Sequence, residues 1–180
     1  HAGSLWHTHL AIDEFYCKPI ENLSTFEWLH ATADFGKIIR IGIKGLKEKI
    51  AESKKVYAGD REKQSFLDAL NTVADSMISW AHKCSDEAAA FAENVKNPEY
   101  KNNLKILSET LKRVPEHPAE SFYEAVLSIY LLFGYEPDSV GTLDRNLYDF
   151  YKNDIDDGKL TRDGAKEILQ ELFLMLQANT

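Results

Sequence analysis

From Phe122 to Phe133 the chain reads Phe-Tyr-Glu-Ala-Val-Leu-Ser-Ile-Tyr-Leu-Leu-Phe, a helical run that is apolar on nearly every side. Phe122, Ala125, Val126, Ile129, Leu132 and Phe133 form its main stripe, and Leu127, Tyr130 and Leu131 extend the apolar surface beyond it. Such a helix has to be buried on most of its circumference, and 180 residues leave limited room for that. Everything else in the chain must be arranged around it. The approach is stiff: Val114-Pro115-Glu116-His117-Pro118 carries two prolines three residues apart. Proline fixes its own φ and biases the preceding residue towards extended backbone. Val114 and His117 are therefore predicted to be extended, with Pro118 at a first helical position of a helix running to about Phe133.

The remaining elements also read as helices. Phe35, Ile38, Ile39, Ile43, Leu46 and Ile50 recur at helical spacing between Asp34 and about Tyr57, with Gly59 as a stop. Asp60 is placed to cap a second helix, in which Phe66, Leu70, Val73, Met77, Trp80 and Cys84 alternate steps of four and three. This spacing suits packing nearly parallel to another helix. Asn97-Pro98 opens a third helix bearing Tyr100, Leu104, Leu107 and Leu111. After the loop Tyr135 to Asp144, helices follow from about Asp144 to Asn153 and from Arg162 to about Ala178. The last has Thr161 as its cap and Ala165, Ile168, Leu169, Leu172, Phe173 and Leu176 on its face. No strand and no internal repeat is evident. The expectation is a mainly α, single domain over residues 1–180 with about six helices, whose first part, 1–30, is an irregular segment.

Composition narrows the function. Twenty-nine acidic against 21 basic side chains give a net charge of −8, which disfavours phosphate backbones and anionic membranes as partners. No apolar run reaches the roughly 18–20 residues of a membrane span, and no basic-then-apolar signal pattern opens the chain. With only Cys17 and Cys84, neither a disulfide framework nor a thiolate zinc site is expected, and a reducing cytoplasm fits best. A chain beginning at His1 reads as a processed or excised piece.

Several local patterns invite chemistry. "NDIDDGKLTRDG" resembles a calcium loop through Asp157-Gly158, but Ile155 stands at the third ligand position and Gly164 where a bidentate glutamate is needed. A helix end turned at Gly158 and restarted at Thr161 accounts for it better. His7 and His9, two apart and near His1, would share one face of a strand, yet a metal site needs a further placed ligand, and none is expected. His30 precedes Asp34 by four residues; it is either a locally bonded turn residue or a group facing a pocket walled by Phe26 and Trp28. Cys84 falls on the second helix's apolar stripe and reads as a small core residue, whereas Cys17 sits in a loop and would need a depressed pKa to react.

Three stretches together resemble one family. "HATADFGKIIRIGIKGLKEKI" resembles the segment in which glycyl radical enzymes place a histidine before a helix ending in a Gly-hydrophobic-x-Gly-type run. "RVPEHPAESFYEAVLSIY" is similar to that family's Arg-x-Val-Pro-x-x-Pro-Ala-x-x-Phe-x-Glu-Ala segment. "SVGTLDRNLYDFYKNDIDDGKLTRDGAKEILQELFLML" looks like the stretch that follows. Order and spacing agree from about Ala31 to Leu176.

The resemblance implies a fragment from the N-terminal part of a pyruvate formate-lyase-like enzyme. The double proline would aim the apolar helix into a large α/β barrel, whose missing parts would cover it. Such enzymes carry a glycine radical, installed by a radical-SAM activase, which generates a cysteine thiyl that abstracts hydrogen from substrate. Some members cleave pyruvate with coenzyme A as formate acetyltransferases; others eliminate water or trimethylamine, or decarboxylate. This chain has no Arg-Val-x-Gly-Tyr radical loop and neither Cys-Cys nor Cys-x-Glu. Alone it is expected to hold no catalytic residue, bind no cofactor and be inactive. By position His30 matches the family's pocket-side histidine, Ser139 is a second pocket candidate, and Asp34 and Asp144 are supporting residues. Glu136-Pro137 stands where dehydratase-like members have His-Ser, and Thr142 where they have arginine, which leaves the subclass open. The implied partners are the remainder of the parent chain, the activase and a small-molecule substrate, in the cytoplasm of an anaerobe. The rival reading is a stand-alone helical binding or structural module. It would have to bury the apolar helix within these 180 residues, whereas a fragment would leave a large apolar patch exposed. A third reading is a small metal-binding protein using His1, His7 and His9.

Overall fold

The structure, a computed structural model, describes residues 33–134 and 139–178. Six helices follow one another there: α1 Phe35–Val56, α2 Arg61–Asn94, α3 Pro98–Leu111, α4 Phe122–Phe133, α5 Leu143–Asp156 and α6 Arg162–Ala178. No strand occurs among the described residues, so the mainly α expectation holds.

The helices begin where short polar side chains can satisfy their first amides. Asp34, Asp60 and Asn97 accept hydrogen bonds from the backbone N–H of Lys37, Lys63 and Tyr100 at 3.0, 3.1 and 3.0 Å. Thr161 Oγ1 accepts from Gly164 N at 3.0 Å. Gly158, at φ 69°, ends α5 in the left-handed conformation that glycine adopts at least cost. Its neighbour Lys159 N donates to Asp154 O at 2.9 Å. The acidic run is thus a helix stop, as expected, with Asp157 paired to Lys159 and Asp156 to Lys152.

Helix α4 departs from expectation at its start. It begins at Phe122, with Ser121 as N-cap, four residues after Pro118. The cause is a Ser-x-x-Glu box: Ser121 Oγ accepts from Glu124 N at 3.2 Å, and the Glu124 carboxylate reaches back to Glu120 N at 2.6 Å. The preceding residues 112–116 are hydrogen-bonded turns, not an extended lead-in, and Val114 N donates to Thr110 O at 2.9 Å.

Every residue of α4 from Ala125 to Phe133 is buried. It packs against α1, α5 and α6, in a core that also takes in Phe35 and Ile39 of α1, Leu107 and Leu111 of α3, and Leu172 of α6. The expectation that missing barrel parts cover this helix is overturned, because the flanking helices of the chain itself enclose it. The phase of α2 also differs over its first half, while Met77, Trp80 and Cys84 of the expected stripe do meet the core. Leu67, Ala74, Ala81 and Ala88, at strict heptad spacing, are buried, while Phe66, Leu70 and Val73 are 63%, 38% and 55% exposed. Small side chains let α1 and α3 approach α2 closely, so the alanine seam faces inward and the bulky residues one position away turn out. Cys84 is buried as expected.

Candidate functional site

The described residues converge on the connector between α3 and α4. Its position is set by a break in α1: Gly42 has φ 67° and ψ 171°, a conformation that is nearly glycine-only. Around the break Ile43 N donates to Pro115 O and Lys44 N to Glu116 O, each at 2.9 Å, and on the other side Ala119 N donates to Ile39 O at 2.9 Å. A Cβ on Gly42 would lie 2.5 Å from Glu116 O and 2.6 Å from His117 C, so only glycine lets the connector seat here.

Two charged knots hold the connector. Glu116, its side chain only 12% exposed, lies 2.8 Å from Lys44 Nζ and 3.9 Å from His117 Nε2. His82 Nε2 of α2 approaches Glu116 Oε2 to 2.7 Å, close enough for an ion pair but not aligned as a hydrogen bond. Burial pushes the Glu116 carboxyl up. The hydrogen bond and charge of Lys44, with the charges of His82 and His117, outweigh it and hold the carboxyl below the ordinary glutamate range. In the second knot Arg113 Nε donates to Glu124 Oε1 at 2.8 Å and Nη2 to Glu124 Oε2, while Nη1 reaches Glu120 Oε1 at 2.9 Å. Arg113 Nη2 also donates to Pro118 O at 2.8 Å. Burial again opposes ionisation of Glu124, and the bonds from Arg113 and Glu120 N overcome it. A carboxylate held below the ordinary range is a weak proton acceptor, and what both knots do in this structure is tie the connector to its neighbours. A third anchor is Asp154 of α5, a buried carboxylate that accepts from Phe122 N at 2.7 Å and fastens the start of α4.

A cavity of about 850 Å³ opens between α5 and α6, floored by Phe122, Leu147, Tyr151 and Leu169 and rimmed by Asp144, Arg162 and Lys166. It can take an apolar group, and its rim lacks a nucleophile with a base beside it. Among the described residues no cluster of three or more His, Cys, Asp or Glu is placed to hold a metal.

The structure disperses the residues singled out from sequence. Asp34 is the cap of α1, and its exposed carboxylate serves Lys37 N. Two residues on, Gly36 packs so tightly on α5 that a Cβ would fall 2.3 Å from Asn146 Oδ1. Asp144 is exposed in the first turn of α5, on the cavity rim. Ser139 is half-buried, its Oγ accepting from Gly141 N at 3.1 Å within the loop. Cys84 lies in the core, away from the cavity, its thiol pushed up to about 12 by burial and then by the charge of Glu87. His30, the cluster His1, His7 and His9, Cys17, and Glu136-Pro137 lie outside the described residues. The two knots were not singled out from sequence, and Gly42 figured there only in the Gly-hydrophobic-x-Gly run at which the resemblance ends the helix. One signal for them was available: Ser121-x-x-Glu124 marks Glu124 as a capping residue with a second oxygen to satisfy.

Comparison with known proteins gives the same family as the three stretches above. The family described as pyruvate formate lyase-like matches residues 13–180. An isethionate sulfite-lyase from Oleidesulfovibrio alaskensis is 34% identical over 164 residues, covering 84% of this chain and 19% of the relative. A solved structure concerned with 1,2-propanediol dehydration in Roseburia inulinivorans superposes with a TM-score of 0.77 at 28% identity, over 84% of this chain and 19% of that one. A glycyl radical enzyme from Archaeoglobus fulgidus superposes with a TM-score of 0.72 at 25% identity, over 83% of this chain and 20% of that one. The chain therefore spans about one fifth of the length of the relatives it matches.

Proposed function

This chain belongs to the pyruvate formate lyase-like family, and from that premise we propose that it is the N-terminal helical part of a glycyl radical lyase whose radical glycine and reactive cysteine lie in the rest of the parent polypeptide. The observation that carries the reading is the family match over 13–180 combined with a span of only 19% of the sulfite-lyase relative. The residues present do not fit the radical chemistry: the glycine-loop and cysteine motifs are absent from the sequence, and Cys84 is enclosed in the core. In the parent, the glycine radical would supply hydrogen abstraction through a cysteine thiyl; this chain shapes and holds the helices around α4.

Elimination is the finer reading, ahead of formate acetyl transfer. Its support is the company the chain keeps, a sulfite-lyase and an enzyme of propanediol dehydration. His30 and Ser139 remain our pocket-side residues, and Ser139, whose Oγ accepts from Gly141 N, keeps its O–H to donate. Asp34 and Asp144 act as supports, the one capping a helix and the other in a helix's first turn, and not in a paired acid–base geometry. The proposed partners are the remainder of the parent, a radical-SAM activase and a small substrate, in an anaerobe's cytoplasm. Among the described residues no helix is long and apolar enough to cross a membrane.

The test is to read the complete frame that encodes this chain, express it without oxygen and activate it. A frame containing the cysteine and glycine motifs, giving a glycine-centred radical by electron paramagnetic resonance, supports the proposal. A frame ending near Thr180 supports the second reading, a stand-alone helical module, which is favoured by one observation: α4 is enclosed within this chain.

A further inference from the structure

Beyond Ile43, α1 carries no buried residue, and the first half of α2 buries only Leu67 and Ala74. The two segments make a helical hairpin that leaves the core, tied by Lys47–Asp75 and Lys54–Asp68 ion pairs. Along α2 runs the four-and-three series Phe66, Leu70, Val73, Met77, Trp80 and Cys84. Its C-terminal half is occupied: Cys84 is in the core, with Met77 and Trp80 packed against it. Its N-terminal half is bare, with Phe66 63% and Val73 55% exposed. It is one continuous seam, filled for half its length.

The geometry points to the bare half of this seam as the docking strip for an apolar helix from the remainder of the parent polypeptide, laid lengthwise against α2. This inference rests on the proposed parent. Four-and-three spacing presents a seam to a near-parallel helix, not to a strand or a loop. Ala69 and Ser76 flank the strip, both exposed, small and uncharged, so a helix can come close without burying a charge. The acidic side chains of this stretch, Asp68 and Asp75, are already paired with lysines of α1. An apolar occupant is thus favoured over a charged one.

Area favours the parent over a second copy. At the exposures of Phe66, Leu70 and Val73, the strip offers on the order of 300 Å² of side-chain surface, taking ~150–200 Å² for each side chain. A stable association of separate molecules needs ~800 Å² per partner. A segment of the same polypeptide has no such requirement, because its neighbour is tethered. About four fifths of the sulfite-lyase relative's length lies outside the part this chain matches, so the proposed parent has ample chain to supply the helix.

Hydroxyl-radical footprinting of Phe66 and Leu70 tests this in the unactivated whole protein and in the 180-residue chain. Phe122, which is 2% exposed, is the buried reference, and Phe91, which is 42% exposed, is the open one. In the chain, Phe66 should label at least as strongly as Phe91; in the whole protein, at a dilution where it is monomeric, it should fall to the level of Phe122. In support, Phe66→Ala with Val73→Ala should lower the melting temperature of the whole protein and leave that of the chain unchanged. Strong labelling in the whole protein overturns the inference, as does weak labelling already present in the chain. Protection that vanishes on dilution to monomer assigns the strip to a second copy and overturns it too. A frame ending near Thr180 is read before any labelling; it removes the parent itself and is thereby distinct from a failure of the strip.

Discussion

Replacing Gly42 by alanine tests whether the connector is held by the break in α1. Two costs are expected to combine. At φ 67° and ψ 171° an L side chain is strained, by ~1–3 kcal/mol. The added Cβ would stand 2.5 Å from Glu116 O and 2.8 Å from His117 Cα, both parts of the backbone, which cannot swing aside as a side-chain tip can. The connector must retreat and weaken the bonds from Ile43 N to Pro115 O and from Lys44 N to Glu116 O, at ~1 kcal/mol each. The sum is about 3–5 kcal/mol, or roughly 10 °C in melting temperature for a chain of this size. The assay is thermal and urea unfolding followed by far-ultraviolet circular dichroism. Gly59→Ala serves as the control, because its Cβ meets nothing within 4 Å and its φ is not positive. That variant should be neutral or gain up to ~1 kcal/mol from a stiffer unfolded chain. If Gly42→Ala and Gly59→Ala unfold alike, the connector is not seated in the break as described.

Arg113→Met should strand a Glu124 carboxylate that is 16% exposed; with Arg113 itself 29% exposed, the loss is moderated to about 2–3 kcal/mol. It should appear as a lower urea midpoint at unchanged slope, and Arg113→Lys should restore only part of it, since lysine cannot bond both oxygens in parallel. Glu116 and Glu124 have carboxyls depressed on folding, so their stabilisation is present above the ordinary value of ~4.3 and lost as pH falls through the lower folded values. Glu116→Gln and Glu124→Gln should each flatten the acid limb of stability against pH. Glu171 behaves oppositely: burial, then the charge of Glu167, raises it to about 7, so its contribution is full below ~4.3 and is lost as pH rises through 7. Glu171→Gln should remove that decline, and an unchanged pH profile would show the carboxyl to be solvated. In a Cys17→Ser background, Cys84 should resist iodoacetamide until the protein is unfolded in urea, and equal rates in both states would contradict its place in the core.

What could be read without a structure was local in origin. The caps at Asp34, Asp60, Asn97 and Thr161 each depend on a side chain three residues from the amide it serves, so they are visible as sequence. The start of α4 was equally local but was masked by Pro118: first-position proline and the Ser121-x-x-Glu124 box made competing claims, and the box, which satisfies two amides, wins. The phase of the first half of α2 failed for a different reason. Two series one residue apart share the same period, and bulk favours Phe66, Leu70 and Val73 whereas close packing favours Leu67, Ala74 and Ala81. Hydrophobicity alone cannot rank a tight alanine seam above a bulky one. The knot at Glu116 was illegible because its partners are distant, Glu116 lying more than seventy residues from Lys44; Gly42 was visible only as the first glycine of the Gly-Ile-Lys-Gly run, within an apolar series that otherwise continues regularly to Ile50.

The position of the Gly42 break explains how α4 can be enclosed in a chain that spans about one fifth of a relative's length. Its cover comes from α1 before it and α5 and α6 after it, and three anchors fix its start: Arg113 through Glu124, Ile39 O through Ala119 N, and Asp154 through Phe122 N. All of these lie within the described 33–134 and 139–178, so closing the core around α4 requires none of the remaining four fifths of a relative's length. The hairpin of α1 and α2 has no such closure, since past Ile43 α1 has no buried side chain and the bulky side of α2 faces outward. The Gly42 break lies between the two regimes: on one side α1 is part of the core, and on the other it leaves the core alongside α2. A stiff connector seated in that break therefore does more than begin α4. It fixes the direction in which the hairpin departs, and with it where the strip at Phe66, Leu70 and Val73 meets whatever packs on it.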